Sequence, residues 1–194
     1  MGGGEDADDD KLSSVECFDS TTQQWSAIAD MGTARSNLGL AVMNGRLYTV
    51  GGLDGSNTRL RSVECFDPTM GVWTLVAAMS TARFDHGVAV VNNKLYAVGG
   101  HDEGGPLSSV ECFDPSTGQW SAAPPLPSAQ YMHGVVALED SDKLYVVGGY
   151  DNDIASSLDH VLCFDPSTGQ WSEVTDMKES RSMVAVACSM HVVS

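Results

Sequence analysis

Positive charge is scarce in this 194-residue chain: 10 Lys and Arg stand against 26 Asp and Glu, for a formal net charge of −16. Duplex nucleic acid is a poor partner for such a chain, because a phosphate backbone is held by clustered Lys and Arg. Long apolar runs are also missing. No stretch approaches the ~20 apolar residues of a spanning helix, so no membrane association is expected. No segment combines a charged start, an apolar middle and a small-residue cleavage site, so no signal peptide is expected. There is no C-x-x-C pair, no Asn-x-Ser/Thr sequon and no Gly loop that opens a helix to cradle phosphate. Asp6 stands where N-myristoylation would need Ser or Thr. No motif suggests a Ser/His/Asp grouping. The chain therefore reads as a non-enzyme without cofactor or metal, and as cytoplasmic, with a nuclear location left open. Long charged helix-forming stretches are scarce too, while Gly reaches 20 residues, which favours strands and turns.

What the chain does have is repetition, which can set a whole fold. Val15-Glu16-Cys17-Phe18-Asp19 recurs at Val63–Asp67, at Val110–Asp114 and, with Leu162 for Glu, at Val161–Asp165. Seven residues after each Phe comes Trp25, Trp73, Trp120 or Trp171. Ten residues after each Trp comes Arg35, Arg83, Gln130 or Arg181, and fourteen after it Gly39, Gly87, Gly134 or Ala185. Gly pairs close the next segment at 51–52, 99–100 and 148–149. Each unit reads as four short strands rich in Val, Tyr, Phe and Ala between turn residues; in the second full copy they are 87–91, 94–99, 109–113 and 120–123. Asn44-Gly45 and Asn92-Asn93 suit two-residue hairpins that need positive φ. Asp-Pro-Ser-Thr-Gly at 114–118 and 165–169 suits the turn between the third and fourth strands. A four-stranded unit repeating at this period reads as a blade of a β-propeller.

The Gly pair, the aromatic 13–15 residues later and the Trp seven beyond it resemble the kelch repeat, in four registers over nearly the whole chain. The wording Ser-Val-Glu-Cys-Phe-Asp-Pro is most similar to the propeller of kelch-like (BTB-kelch) proteins, which recruit substrates to a ubiquitin ligase. The resemblance implies an all-β fold: a partial kelch β-propeller of three complete four-stranded blades, with an incomplete blade split between the termini. Residues 1–11 form an acidic, Gly-rich loop or disordered tail. The repeat units run over about 12–34, 35–82, 83–129 and 130–180, and 181–194 supply a partial strand. The same pattern reads as a fragment, a short isoform or a truncated product, in an open arc or a poorly closed ring.

Positions identical in every copy are demanded by blade geometry, so the four Trp and the recurrent Arg are scaffold. Cys17, Cys65, Cys112 and Cys163 occupy one site in successive units. Packed sheets lie ~10 Å apart and a disulfide needs Cα atoms within ~7 Å, so these read, with Cys188, as buried reduced thiols. His86 and His133 are also equivalent and read as satisfied structural histidines.

Variable loops on a rigid ring are where binding residues belong. Loops from the second to the third strand share one rim with the connections between units. They hold six acids (Asp54, Asp102, Glu103, Asp151, Asp153 and Asp159) against Arg59 and Arg61, and Glu5–Asp10 adds more negative charge. The resemblance implies that this rim binds substrate, which assigns partner contact to Asn37, Asp54, Asn57, Arg59, Asp85, His101, Asp102, Glu103, Met132, Tyr150, Asp151 and Asp153. A protein or peptide partner, basic or polar, fits the charge. The alternatives are an actin-associated scaffold and a product without independent function; self-association through open blade edges is a further expectation.

Overall fold

A computed structural model describes residues 3–138 and 141–187. Its regular structure is entirely β, so among the described residues no helix is long and apolar enough to cross a membrane. Strands β1 (Val15–Asp19) and β2 (Gln24–Ile28) form a two-stranded sheet. Strands β3 (Gly39–Met43), β4 (Arg46–Val50), β5 (Val63–Asp67) and β6 (Val72–Val76) pair in chain order as the first full blade. The second blade is built from β7 (Gly87–Val91), β8 (Lys94–Val98), β11 (Val110–Asp114) and β12 (Gln119–Ala123). Its connecting loop carries the small hairpin β9 (His101–Asp102) and β10 (Gly105–Pro106). The third is built from β13 (Gly134–Leu138), β14 (Lys143–Val147), β17 (Val161–Asp165) and β18 (Gln170–Glu173), with the hairpin β15 (Tyr150–Asp151) and β16 (Ser156–Ser157) in the same loop.

The strands expected for the second copy lie within one residue of those found. The first hairpins take the left-handed conformation their sequences suit: φ is 53° at Asn44 and 72° at Gly45, then 50° at Asn92 and 57° at Asn93. Residues 3–11 run as a loop. The Asp6 carboxylate accepts the N–H groups of Asp8 and Asp10, and Lys11 pairs with Glu5. At the other end Arg181 makes a single bridge to Leu158, and 182–187 contain no strand; the rest of the expected terminal strand, like Cys188, lies outside the described residues.

The innermost strands β3, β7 and β13 stand side by side, and glycine makes this possible. A Cβ on Gly39 would lie 2.0 Å from Val88, and one on Gly87 1.9 Å from Val135. Gly134 meets Val186 in the same way, so the chain beyond β18 returns to the inner row.

The core lies between blades. Met43, Tyr48, Val50, Val63 and Cys65 pack against Leu95, Ala97 and Phe113 of the next blade, and Tyr96, Val98 and Cys112 against Leu144, Val146 and Phe164. Burial at ~25 cal/mol per Å² of apolar surface is thus gained only when neighbours are in place. The tryptophans add a polar tie. Indole Nε1 of Trp73, Trp120 and Trp171 donates to the carbonyl of Ala29, Ala77 and Pro124 in the preceding unit, at 2.8–3.0 Å. Trp25 is 55% exposed.

The recurrent Arg is a structural link, as its repetition implies. The Arg35 guanidinium donates to Gly51 O, Ser62 O, Ser62 Oγ and Glu64; Arg83 does the same with Gly99 O, Ser109 O, Ser109 Oγ and Glu111. Each carboxylate also accepts two N–H groups from the turn before that Arg: Gly32 and Thr33 for Glu64, Ser80 and Thr81 for Glu111. At the third junction all three positions change together. Gln130 replaces Arg, His160 replaces Ser and Leu162 replaces Glu, and His160 Nε2 pairs with Gln130 Oε1 at 2.9 Å.

Two expectations are corrected. Cys65, Cys112 and Cys163 are buried free thiols, but Cys17 is exposed, because no strand covers the inner edge of β1 among the described residues. His133 is satisfied at one nitrogen only, with Nε2 on Val98 O at 3.0 Å, while its Nδ1 and both nitrogens of His86 have no hydrogen-bond partner among the described residues.

Candidate interaction rim

The connections into β3, β7 and β13 pass through a left-handed residue, with φ 53° at Asn37, 52° at Asp85 and 56° at Met132, and Met183 at the equivalent position has φ 57°. Main-chain bonds join them in sequence, from Asp85 N to Asn37 O, Met132 N to Asp85 O and Val184 N to Met132 O. Asn37, Asp85, Met132 and Met183 thus line one cavity of about 320 Å³ beside the innermost strands, with His86 and His133 in its wall. Asn37 Nδ2 donates to Asp85 Oδ1 at 2.6 Å. Burial holds the Asp85 carboxyl above its usual range, opposed by that hydrogen bond. This inner row brings together three of the residues read from the sequence, Asn37, Asp85 and Met132.

Outside it runs a second row. The residue after each Arg or Gln bridges to the first loop residue beyond the next Gly pair: Ser36 to Leu53, Phe84 to His101 and Tyr131 to Tyr150. The rings continue across these bridges. Phe84 lies 5.2 Å from His101, His101 lies 5.4 Å from Tyr131, and Tyr131 lies 5.7 Å from Tyr150. Arg59 caps the stripe with its guanidinium 5.7 Å from the Phe84 ring. Tyr131 also donates its hydroxyl to Asn152 Oδ1. Three residues read from the sequence, Arg59, His101 and Tyr150, belong to this stripe. Phe84 and Tyr131 were missed. Their signal was variation at the position just after the recurrent Arg, next to the one that was read.

The loop acids have a local task as well as a charge. Asp54 Oδ1 accepts Ser56 N and Thr58 N, Asp102 accepts Gly104 N at 2.7 Å and Asp151 accepts Asp153 N at 2.7 Å. The two N–H groups hold the Asp54 carboxyl below its usual range. Asp151 is buried, while Asn57, Glu103 and Asp153 are exposed. The rim therefore offers a ring-stacked stripe with acids along its loops. Among the described residues no three His, Cys, Asp or Glu side chains are grouped to hold a metal ion.

A family model described as the KLHDC2/KLHL20/DRC7 Kelch-repeats domain matches residues 1–194. Kelch-like protein 41 of Mus musculus is 51% identical over 39 residues, and that of Homo sapiens 53% identical over 36. These stretches are 20% and 19% of this chain, and only 6% of the length of each relative. Among solved structures, one titled "Structure of YjhT" superposes with a TM-score of 0.79 at 14% identity, covering 95% of this chain and 68% of that one. At that identity the likeness concerns the fold alone.

Proposed function

The chain belongs to the kelch-repeat family, whose propellers are in general protein-interaction modules, and we propose that this one binds an extended basic or polar peptide along the Phe84–Tyr150 stripe. The observation that carries the reading is the unbroken row of four rings over two consecutive units, capped by Arg59 of the unit before and bordered by Asp102, Glu103 and Asp153. Aromatic faces attract cationic side chains, by ~0.5–1 kcal/mol each at exposed sites and by more when desolvated. The loop acids would speed encounter with a basic segment, an effect that salt screens over about 8–10 Å. The inner row of Asn37, Asp85 and Met132 would receive side chains pointing toward the axis. No step of chemistry is assigned to the rim, and the reading is non-enzymatic. It extends to substrate recruitment of the kelch-like ubiquitin-ligase kind, supported by the Ser-Val-Glu-Cys-Phe-Asp-Pro wording and the short match to Kelch-like protein 41.

Binding of immobilised Lys/Arg-containing and Asp/Glu-containing peptide arrays, with and without Tyr131→Ala, tests this. Basic peptides should be retained, more weakly at high salt, and lost with the substitution. Equal retention of both arrays, or indifference to Tyr131→Ala, would overturn the reading.

A further inference from the structure

Asp85 is the one carboxylate among the described residues that line the inner-row cavity, and no Lys or Arg lines it. The two histidines in the wall are kept neutral by burial, His133 down to about 4 and His86 well below 6.5. Met132 and Met183 give the cavity soft apolar sides.

The turn itself does not call for an acid. Asn37, Met132 and Met183 take the same left-handed conformation at the equivalent positions without one. Burial disfavours the charged form of the Asp85 carboxyl, so an acid here costs stability that Asn or Met would not. Its position is nevertheless fixed from both sides. Asp85 N–H donates to Asn37 O at 3.1 Å, and its carbonyl accepts Met132 N at 2.8 Å. Oδ1 accepts Asn37 Nδ2 at 2.6 Å, while Oδ2 accepts no hydrogen bond among the described residues. The acid also lies against the stripe. Phe84 and Tyr131 directly precede Asp85 and Met132 in the chain. Burial, then Tyr150, then Asp85 hold the Tyr131 hydroxyl above its ordinary range, so the carboxylate is felt at that ring.

We propose that the cavity takes the side chain of a single Arg or Lys of the bound peptide, with Asp85 accepting its cationic head and the two methionines packing along its methylenes. Asp85 then decides which residue the peptide presents at that point. The inference rests on the rim reading above and adds one position where positive charge is demanded, not merely favoured. Arg suits the cavity better than Lys. Its planar fork carries more donors than one carboxylate accepts, and the neutral ring of His86, whose nitrogens have no partner among the described residues, offers a further acceptor. Salt should separate this contact from the exposed loop acids Glu103 and Asp153, because a cation seated in a cavity is screened much less.

Nuclear magnetic resonance of the intact chain with isotope-labelled methionine methyl groups tests this. The Met132 methyl should shift saturably on titration with N-acetyl-arginine amide and stay in place with N-acetyl-citrulline amide, its uncharged counterpart. Asp85→Asn should weaken the arginine response about tenfold or more. The variant should melt like the parent, because Asn already holds the equivalent turn at position 37. A Met132 methyl that ignores the arginine amide, answers both amides equally, or answers alike in the parent and in Asp85→Asn would overturn the proposal. Failure of the stripe gives a different result. Basic peptide arrays retained without an arginine response leave the rim reading and remove the cavity; an arginine response without peptide retention removes the peptide as the source of the side chain.

Discussion

Arg83 and Glu111 meet at 2.9 Å across the boundary between the first and second full blades, with both side chains withdrawn from water. Burying two charges is repaid only when their remaining hydrogen-bonding groups are also satisfied. Here the backbone of Gly99 and Ser109 and the N–H groups of Ser80 and Thr81 provide that.

Glu111→Gln should therefore destabilise by about 3–5 kcal/mol, since it leaves the Arg83 guanidinium uncompensated. The triple change Arg83→Gln, Ser109→His, Glu111→Leu brings in the Gln, His and Leu of the third junction and should recover part of that loss; Ser80 N and Thr81 N still lose their acceptor, where the third junction has Pro127 in place of Ser80. Urea unfolding of the two variants and the parent gives the comparison; equal stability of the single and triple variants would contradict it.

The tryptophans are identical in sequence position but not in burial. Trp120→Ala should cost about 2–3 kcal/mol, below the ~3–5 kcal/mol range for truncating a fully buried Trp, because its ring is half-buried between blades. Trp25→Ala should cost much less in the isolated chain, because its ring is 55% exposed. Thermal unfolding at low concentration separates the two.

Acid should weaken the fold through its histidines. Burial holds His133 down to about 4 and His86 well below its usual value of 6.5. Above pH 6.5 both are neutral folded or unfolded, so they cost nothing. As pH falls from 6.5 towards 4, the unfolded chain takes up protons that the fold refuses, and stability is lost through that window. For His133 the loss is on the order of 3 kcal/mol. His133→Gln should flatten the pH dependence of the urea midpoint between 6.5 and 4.

Thiol labelling should distinguish equivalent cysteines. Cys17 should react quickly with an aromatic disulfide reagent, and Cys65 and Cys112 slowly, because burial holds their thiols above the usual range. Peptide mapping of the first residue modified checks this.

Tyr131→Ala and Asp102→Ala should act differently on the rim. Removing the Tyr131 ring breaks the stripe between His101 and Tyr150, so peptide retention should fall with little change in melting temperature. Asp102→Ala also removes the acceptor for Gly104 N, so the β9–β10 hairpin should loosen and its amides exchange faster with solvent. Hydrogen exchange of residues 101–106 in the two variants tests the distinction.

Spacing alone determined the blade plan of this chain. Asn44-Gly45, the Gly pairs and the fixed interval from Phe to Trp are local devices, and local sterics give them the same meaning in every copy. The role of Arg35 and Arg83 was legible for the same reason, since repetition at one site marks geometry. Burial was not legible. Val-Glu-Cys-Phe-Asp is written identically at 15–19, 63–67 and 110–114, yet Phe18 is 45% exposed and Phe113 5%. What differs is the neighbour, and a segment does not encode what will pack on it. The stripe from Phe84 to Tyr150 likewise needed the fold, because neighbouring rings stand 17 to 30 residues apart in the chain and form one row only when two units are stacked side by side.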